Sequence, residues 1–264
     1  MRFKITRLVP VIAMIAALPL SGCNFITKLK ARDSLNKGVK KFTEQKYEDA
    51  AKYFEQSIQL DPEFHVARMY LATTYTSQFV PNSPDPKSLK MGERAITTFM
   101  DVIEADKEGK SKINAMLSIA SLYYQMKKYG ESKEWCRKIQ QLEPNNAEAL
   151  YRIAVIDFDQ SLKRTGLQGE NVEFLKPEEK QDALALINEG LQALEKAQEI
   201  RKDYFDAMDY QNLLWREKAK FEKDEKVRNE LNRQADIVAQ KALLLRLRAQ
   251  EEEAKKPKKL VTSK

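Results

Sequence analysis

The stretch LNKGVKKFTEQKYEDAAKYFEQSIQLDPEF, Leu35 to Phe64, decides the fold. Gly38 and Ala50 are small and let two helices of a hairpin approach closely, Tyr47 and Phe54 are large and fill the space between them, and Pro62 ends the second helix. The pattern returns in INAMLSIASLYYQMKKYGESKEWCRKIQQLEPNN, residues 113–146. There Ala120, Tyr123, Tyr129, Ser132, Cys136, Ile139 and Pro144 fall in the same register. A pattern of small, large and helix-ending residues that recurs in register is the signature of a repeat architecture.

The register resembles that of the tetratricopeptide repeat. Counted from Ala31, residues Gly38, Tyr47, Ala50, Phe54, Ser57 and Pro62 occupy repeat positions 8, 17, 20, 24, 27 and 32. The resemblance covers about residues 31–254 and divides them into 31–64, 65–112, 113–146, 147–203 and 204–254. In 65–112 the first helix carries Leu71, Ala72 and Tyr75 and the second is ERAITTFMDVIEAD. Between them, an insertion of 11 residues contains VPNSPDP, whose prolines are expected not to continue a helix. In 147–203 the helix AEALYRIAVIDF is followed only after TGLQGENVEFLKP by KQDALALINEGLQALEKAQEI. The resemblance implies an all-α fold, a right-handed superhelix (α-solenoid) of about five helix pairs with a long C-terminal helix. One hairpin cannot bury both faces, so neighbouring pairs complete each other's core.

Composition agrees with an all-α reading. The 264 residues are 42% hydrophobic and 32% charged, enough for a sizeable core, and only 8 are Gly and 9 Pro. The net charge of +7 includes Arg2, Lys4 and Arg7 of the first segment. What remains is too diffuse to support a nucleic-acid partner.

Residues 1–22 have the three parts of a secretory signal: basic MRFKITR, apolar LVPVIAMIAALPL, and small residues before Cys23. The apolar run is shorter than the roughly 20 residues needed to span a bilayer. Leu20-Ser21-Gly22-Cys23 resembles the bacterial lipobox. That resemblance implies lipidation of Cys23 by diacylglyceryl and a further acyl chain such as palmitate, with residues 23–30 as a lipidated tether and the membrane held through the N-terminal lipid. Two or three acyl chains suffice for stable anchoring. Asn24 rather than Asp implies the outer membrane, facing the periplasm, if the host is diderm. The basic segment 255–264 reads as a flexible tail.

Motifs for chemistry are sparse. HExxH, CxxC and GxSxG are absent from the sequence, and Gly109-Lys110-Ser111 lacks the earlier glycine of a phosphate loop, since Glu104 holds that place. Cys136 reads as a small core residue on a face with Trp135 and Ile139, and the single histidine, His65, as a structural residue opening a helix. The abundant carboxylates, paired with lysines at helical spacing, read as solvated faces. The chain is therefore expected to be no enzyme and to need no metal or cofactor.

What the family resemblance implies instead is a groove lined by first-helix side chains that binds a protein or peptide partner in the periplasm. Residue by residue, it designates Leu35 and Phe42, then Met69, then Asn114, Tyr124 and Gln125, then Tyr151 and Phe158 as candidate groove residues. The carboxylate clamp known in chaperone-binding members wants Lys and Asn where this chain has Leu35 and Val39, which argues against recognition of a free C-terminus. The expected role is a membrane-anchored interaction scaffold of the bacterial cell envelope. The alternative is an envelope-assembly factor, similar to the barrel-assembly lipoprotein or type IV pilus pilotins, or an accessory subunit of an envelope enzyme. In the last helix, expected from about Asp224 to Ala254, Leu231, Ala235, Val238, Ala242 and Leu245 form one stripe. Leu243, Leu244 and Leu247 lie outside it: either the helix end overhangs and offers a surface for a partner or for self-association, or it folds back on the fifth pair and these leucines are core.

Overall fold

The computed structural model describes residues 19–106, 109 and 111–255, with side chains from Phe25 onward. The expected signal segment before Pro19 and the tail after Lys255 lie outside the described residues, as does the side chain of Cys23. The described elements are ten α-helices and one short 3₁₀ turn. None of these helices is long and apolar enough to cross a membrane. The chain divides into two compact units, one reaching Ser118 and one beginning at Ile119.

The first unit holds α1 (Pro19–Thr43), α2 (Tyr47–Leu60), α3 (His65–Gln78), α4 (Pro86–Ala105) and the first half of α5 (Lys112–Gln125). Helix α1 packs on α2, α2 on α3 and α3 on α4. Gly38 lies so close to the Phe54 ring that a Cβ there would come within 2.5 Å of it. Phe54 is fully buried and stacks on Tyr70 with ring centroids 5.4 Å apart. The Ser57 hydroxyl donates to the Ala31 carbonyl at 2.7 Å, tying α2 to the first helix. Gln45 turns the chain between the two helices in the left-handed region, at φ 59°.

The insertion departs from expectation. Helix α4 begins at Pro86 rather than at Glu93, so the last proline of VPNSPDP starts a helix. A proline in the first turn loses no intrahelical bond, because that N–H would have no helical partner. The Asp85 carboxylate accepts from the Lys87 N–H at 2.9 Å, and the Ser88 hydroxyl accepts from Val80 N–H at 2.7 Å, which fastens the loop.

The second unit holds the rest of α5, α6 (Tyr129–Leu142), α7 (Ala147–Thr165), the 3₁₀ turn Val172–Phe174, α8 (Pro177–Ile200), α9 (Phe205–Ala219) and α10 (Glu225–Lys255). Lys127 occupies the α5–α6 turn at φ 59°, as Gln45 does between α1 and α2. The Ser132 hydroxyl donates to the Ala120 carbonyl at 2.7 Å. Cys136 and Ile139 are fully buried between these helices and their neighbours, while Trp135 stays half-buried beneath the Lys138 ammonium, 4.6 Å from its ring. The Asn146 side chain caps α7 by accepting from Ala149 N–H at 2.9 Å. Gly190 of α8 sits against Leu214 of α9, and a Cβ there would lie 2.7 Å from that leucine. Helix α10 returns antiparallel along α9, with Arg216 paired to Asp236 at 2.6 Å near one end and Arg246 paired to Asp209 near the other. Ala235 and Ala242 are its buried residues, and both belong to the expected stripe.

Candidate partner-binding groove

Helices α5, α7 and α9 are the first members of successive pairs, and within the second unit their side chains surround a cleft of about 300 Å³. Its walls are Ser121, Tyr124 and Gln125 of α5, Tyr151, Arg152, Val155 and Ile156 of α7, and Tyr210 of α9, with Ser132 of α6 also lining it. Each tyrosine is held. Tyr124 donates its hydroxyl to the Asp159 carboxylate at 2.5 Å and leans on Tyr129 with centroids 5.8 Å apart. Tyr151 is wedged between Tyr204, at 5.3 Å, and the edge of Tyr210, at 5.5 Å. Phe158 meets Tyr210 edge-on at 5.7 Å. Behind Tyr151, Tyr204 is buried, donates to Glu148 at 2.6 Å and carries the Arg201 guanidinium over its ring at 3.5 Å.

Burial raises the pKa of Tyr124, with the Asp159 bond adding to it, and burial pushes Tyr151 up to about 12. Both phenols therefore stay neutral at ordinary pH and act as aromatic faces and O–H donors. Arg152 forms an ion pair with Glu148 at 2.9 Å. The cleft thus offers rings for apolar or aromatic side chains, and the Gln125 amide and Ser121 hydroxyl for the backbone of an extended segment.

Of the expected groove residues, Tyr124, Gln125 and Tyr151 line this cleft, and Phe158 supports it. The others lie in the first unit. Leu35 and Met69 are half-buried on α1 and α3, Phe42 packs edge-on against Tyr47 of its own hairpin at 5.5 Å, and Asn114 is exposed on α5. In that unit a different polar cluster forms: Tyr75 donates to Glu55 at 2.7 Å, and Arg94 lies over the Tyr75 ring at 4.1 Å.

The reading of the carboxylates as solvated faces needs a correction. Asp157 of α7 is completely buried, and Lys133 of α6 reaches it at 2.5 Å and Glu189 of α8 at 2.9 Å. Burial raises the Asp157 pKa to about 6 against the attraction of Lys133. Cys136 reads as expected, a core thiol that burial pushes up to about 12, far from a reactive thiolate. The Gly109 and Ser111 amides both donate to the Asp106 carboxylate, so that turn is committed to its own chain rather than to a phosphate.

Comparison with known proteins bears on the fold. A family model described as Tetratricopeptide repeat matches residues 35–64 and 113–146, the two stretches whose turns share the left-handed residue. These two stretches are tetratricopeptide repeats. Among solved structures the chain resembles the crystal structure of MamA protein at 16% identity and a TM-score of 0.54, over 88% of this chain and 98% of that one. It also resembles MamA from Desulfovibrio magneticus RS-1 at 14% identity and a TM-score of 0.52, over 86% and 98% of the two chains. YrrB, described as a TPR protein with an unusual peptide-binding site, aligns at 13% identity and a TM-score of 0.50, over 88% and 97%. At such identities the likeness establishes the fold, an all-α tetratricopeptide-repeat solenoid. No curated protein matches the chain.

Tyr210 of this repeat protein was not among the expected groove residues. Counted from Tyr204, the position that holds a small residue in better-formed repeats is Gln211, so α9 carries no register from which to count. The Lys133–Asp157–Glu189 cluster was hidden for another reason. Its members lie on three helices, far apart in sequence, and each has solvated look-alikes on every side.

Proposed function

We propose that the protein is a lipid-anchored, non-enzymatic scaffold of a bacterial cell envelope, on the periplasmic side of the outer membrane where the host is diderm. Its α5–α7–α9 cleft receives an extended segment of a protein partner. The tetratricopeptide-repeat fold supports a role in protein–protein interaction in general. The observation that carries the specific reading is the convergence of Tyr124, Tyr151 and Tyr210 from three successive first helices on one cleft. Rigid, neutral tyrosines immobilise few rotamers on binding and bury large area, which is why aromatic anchors dominate binding hot spots. YrrB, with its peptide-binding site on the same kind of fold, supports the analogy. The anchor rests on Leu20-Ser21-Gly22-Cys23 alone.

Co-purification from the native envelope tests the cleft. Tyr151→Ala and, separately, Gln125→Glu should each weaken capture of a discrete protein partner about tenfold or more, the scale of a hot-spot loss. An unchanged set of captured proteins for both variants would remove the cleft from the account. Cys23→Ser should abolish acyl labelling and membrane fractionation; retained labelling would refute the anchor while leaving the cleft untouched.

A further inference from the structure

Helix α10 buries Ala235 and Ala242 against α9, yet its opposite face is apolar too. Ile237, Leu243, Leu244 and Leu247 are 47%, 53%, 56% and 45% exposed, too much for a face already covered within its own chain. Ile237, Gln240, Leu244, Leu247 and Glu251 recur at steps of three and four, the spacing of a helix–helix seam. The helix also exceeds its partner. At about 1.5 Å per residue it runs roughly 46 Å, and α9 roughly 22 Å. The last pairing between the two is that of Arg246 with Asp206 and Asp209, near the start of α9, and every residue from Leu247 to Lys255 is exposed.

Charge along this projecting end is polarised. Lys241 and Arg248 flank the leucines on the same side, and Glu251, Glu252 and Glu253 follow. Lys241 and Glu251 form no ion pair among the described residues. A partner helix laid parallel and in register would set glutamates against glutamates and Lys241 against Lys241. Laid antiparallel, with Leu244 and Leu247 across from Leu247 and Leu244, it brings Lys241 of each copy beside Glu251 and Glu252 of the other. The surface is therefore complementary to itself under a two-fold rotation, the requirement of an isologous contact.

We propose that α10 pairs antiparallel with α10 of a second copy of this chain, through Leu244 and Leu247 at the centre and Lys241 with Glu251 at both ends. This inference is independent of the partner cleft, to which α10 contributes no lining residue. A pair of helix ends buries less than the ~1,200 Å² of a standard interface, so the dimer should be weak, on the order of micromolar, and dependent on concentration.

Sedimentation velocity of the full chain across a concentration series tests this. The chain should shift from monomer to dimer. Leu244→Glu with Leu247→Glu should weaken association at least tenfold, with a melting temperature close to that of the parent. Lys241→Glu should weaken it, and Lys241→Glu with Glu251→Lys should restore it, a rescue that touches no apolar contact. Oxidation of a mixture of Lys241→Cys and Glu251→Cys chains should give the mixed crosslink in preference to either symmetric one. A chain that stays monomeric at every concentration overturns the proposal. So does a large fall in melting temperature for the leucine variant, a failed charge rescue, or a preference for the symmetric crosslinks.

Discussion

The α1–α2 hairpin and the α7–α8 hairpin are both helix pairs of one repeat fold, and they are held together by different physics. In the first, Gly38 admits the Phe54 ring, and the buried side-chain bond from Ser57 to Ala31 accompanies an apolar interior. In the second, Gly190 again allows close approach, here to Leu214 of α9, but α7 also carries Asp157 into the interior, where the Lys133 ammonium, shared with Glu189, must neutralise it. Shape complementarity needs only the right volumes at the right spacing. A buried charge needs its partner in place as well, and loses stability whenever that partner is removed or titrated.

The largest expected effect falls on the first hairpin. Phe54→Ala should cost about 3–5 kcal/mol in chemical denaturation, because the ring is fully buried and Gly38 cannot fill the void. Gly38→Val should destabilise as well, by forcing the ring away. If Phe54→Ala cost under about 1 kcal/mol, the close approach would not be the organising contact of that pair.

Next comes Lys133→Met, which leaves Asp157 buried with one lone carboxylate neighbour, Glu189, that is itself partly exposed. The cost should be about 2–4 kcal/mol at pH 7, somewhat below that of breaking a fully buried pair. Lys133→Met combined with Asp157→Leu should recover much of it. A double variant no better than the single would show that the charges matter for packing rather than for each other.

The pH dependence sharpens the contrast further. Asp157 has a folded-state pKa raised to about 6 by burial, above the ordinary 3.8. The folded state holds this proton more tightly than the unfolded chain, so its contribution is fully present below about pH 4 and is lost as pH rises through about 6. The stability advantage of the parent over Asp157→Asn should therefore shrink between pH 4 and pH 7, as melting curves across that range would show. An advantage that grows with pH would mean that the paired, ionised form is the favoured one. The smallest effect belongs to the surface of the first hairpin. Lys37→Ala breaks an exposed pair with Asp33 and should leave the melting temperature unchanged within error.

These differences also explain what could be read in advance. Small and large residues at fixed spacing are local facts, so Gly38, Phe54, Ala120 and Cys136 disclosed the helix pairs, and the α10 stripe through Ala235 and Ala242 disclosed its buried face. The start of α4 was missed because Pro86 interrupts helices in general but begins them when Asp85 caps the first turn. Of the positions counted from the repeat register, Tyr124, Gln125 and Tyr151 line the cleft and Leu35 and Phe42 of the first unit do not, while Tyr210 was not counted because α9 has Gln211 where better-formed repeats hold a small residue. Asp157 was invisible because burial of a charge is decided by three helices together rather than by the sequence around it.

The central claim is that one region of the chain, the α5–α7–α9 cleft, is a partner site while the first hairpin is architecture. A photo-crosslinking side chain placed at Gln125, in the cleft, and separately at Glu48, exposed on α2, measures the difference in the native envelope. The account predicts a discrete protein adduct from position 125 that disappears with Tyr151→Ala, and none of it from position 48. The same adducts from both positions, or none from position 125, would contradict it.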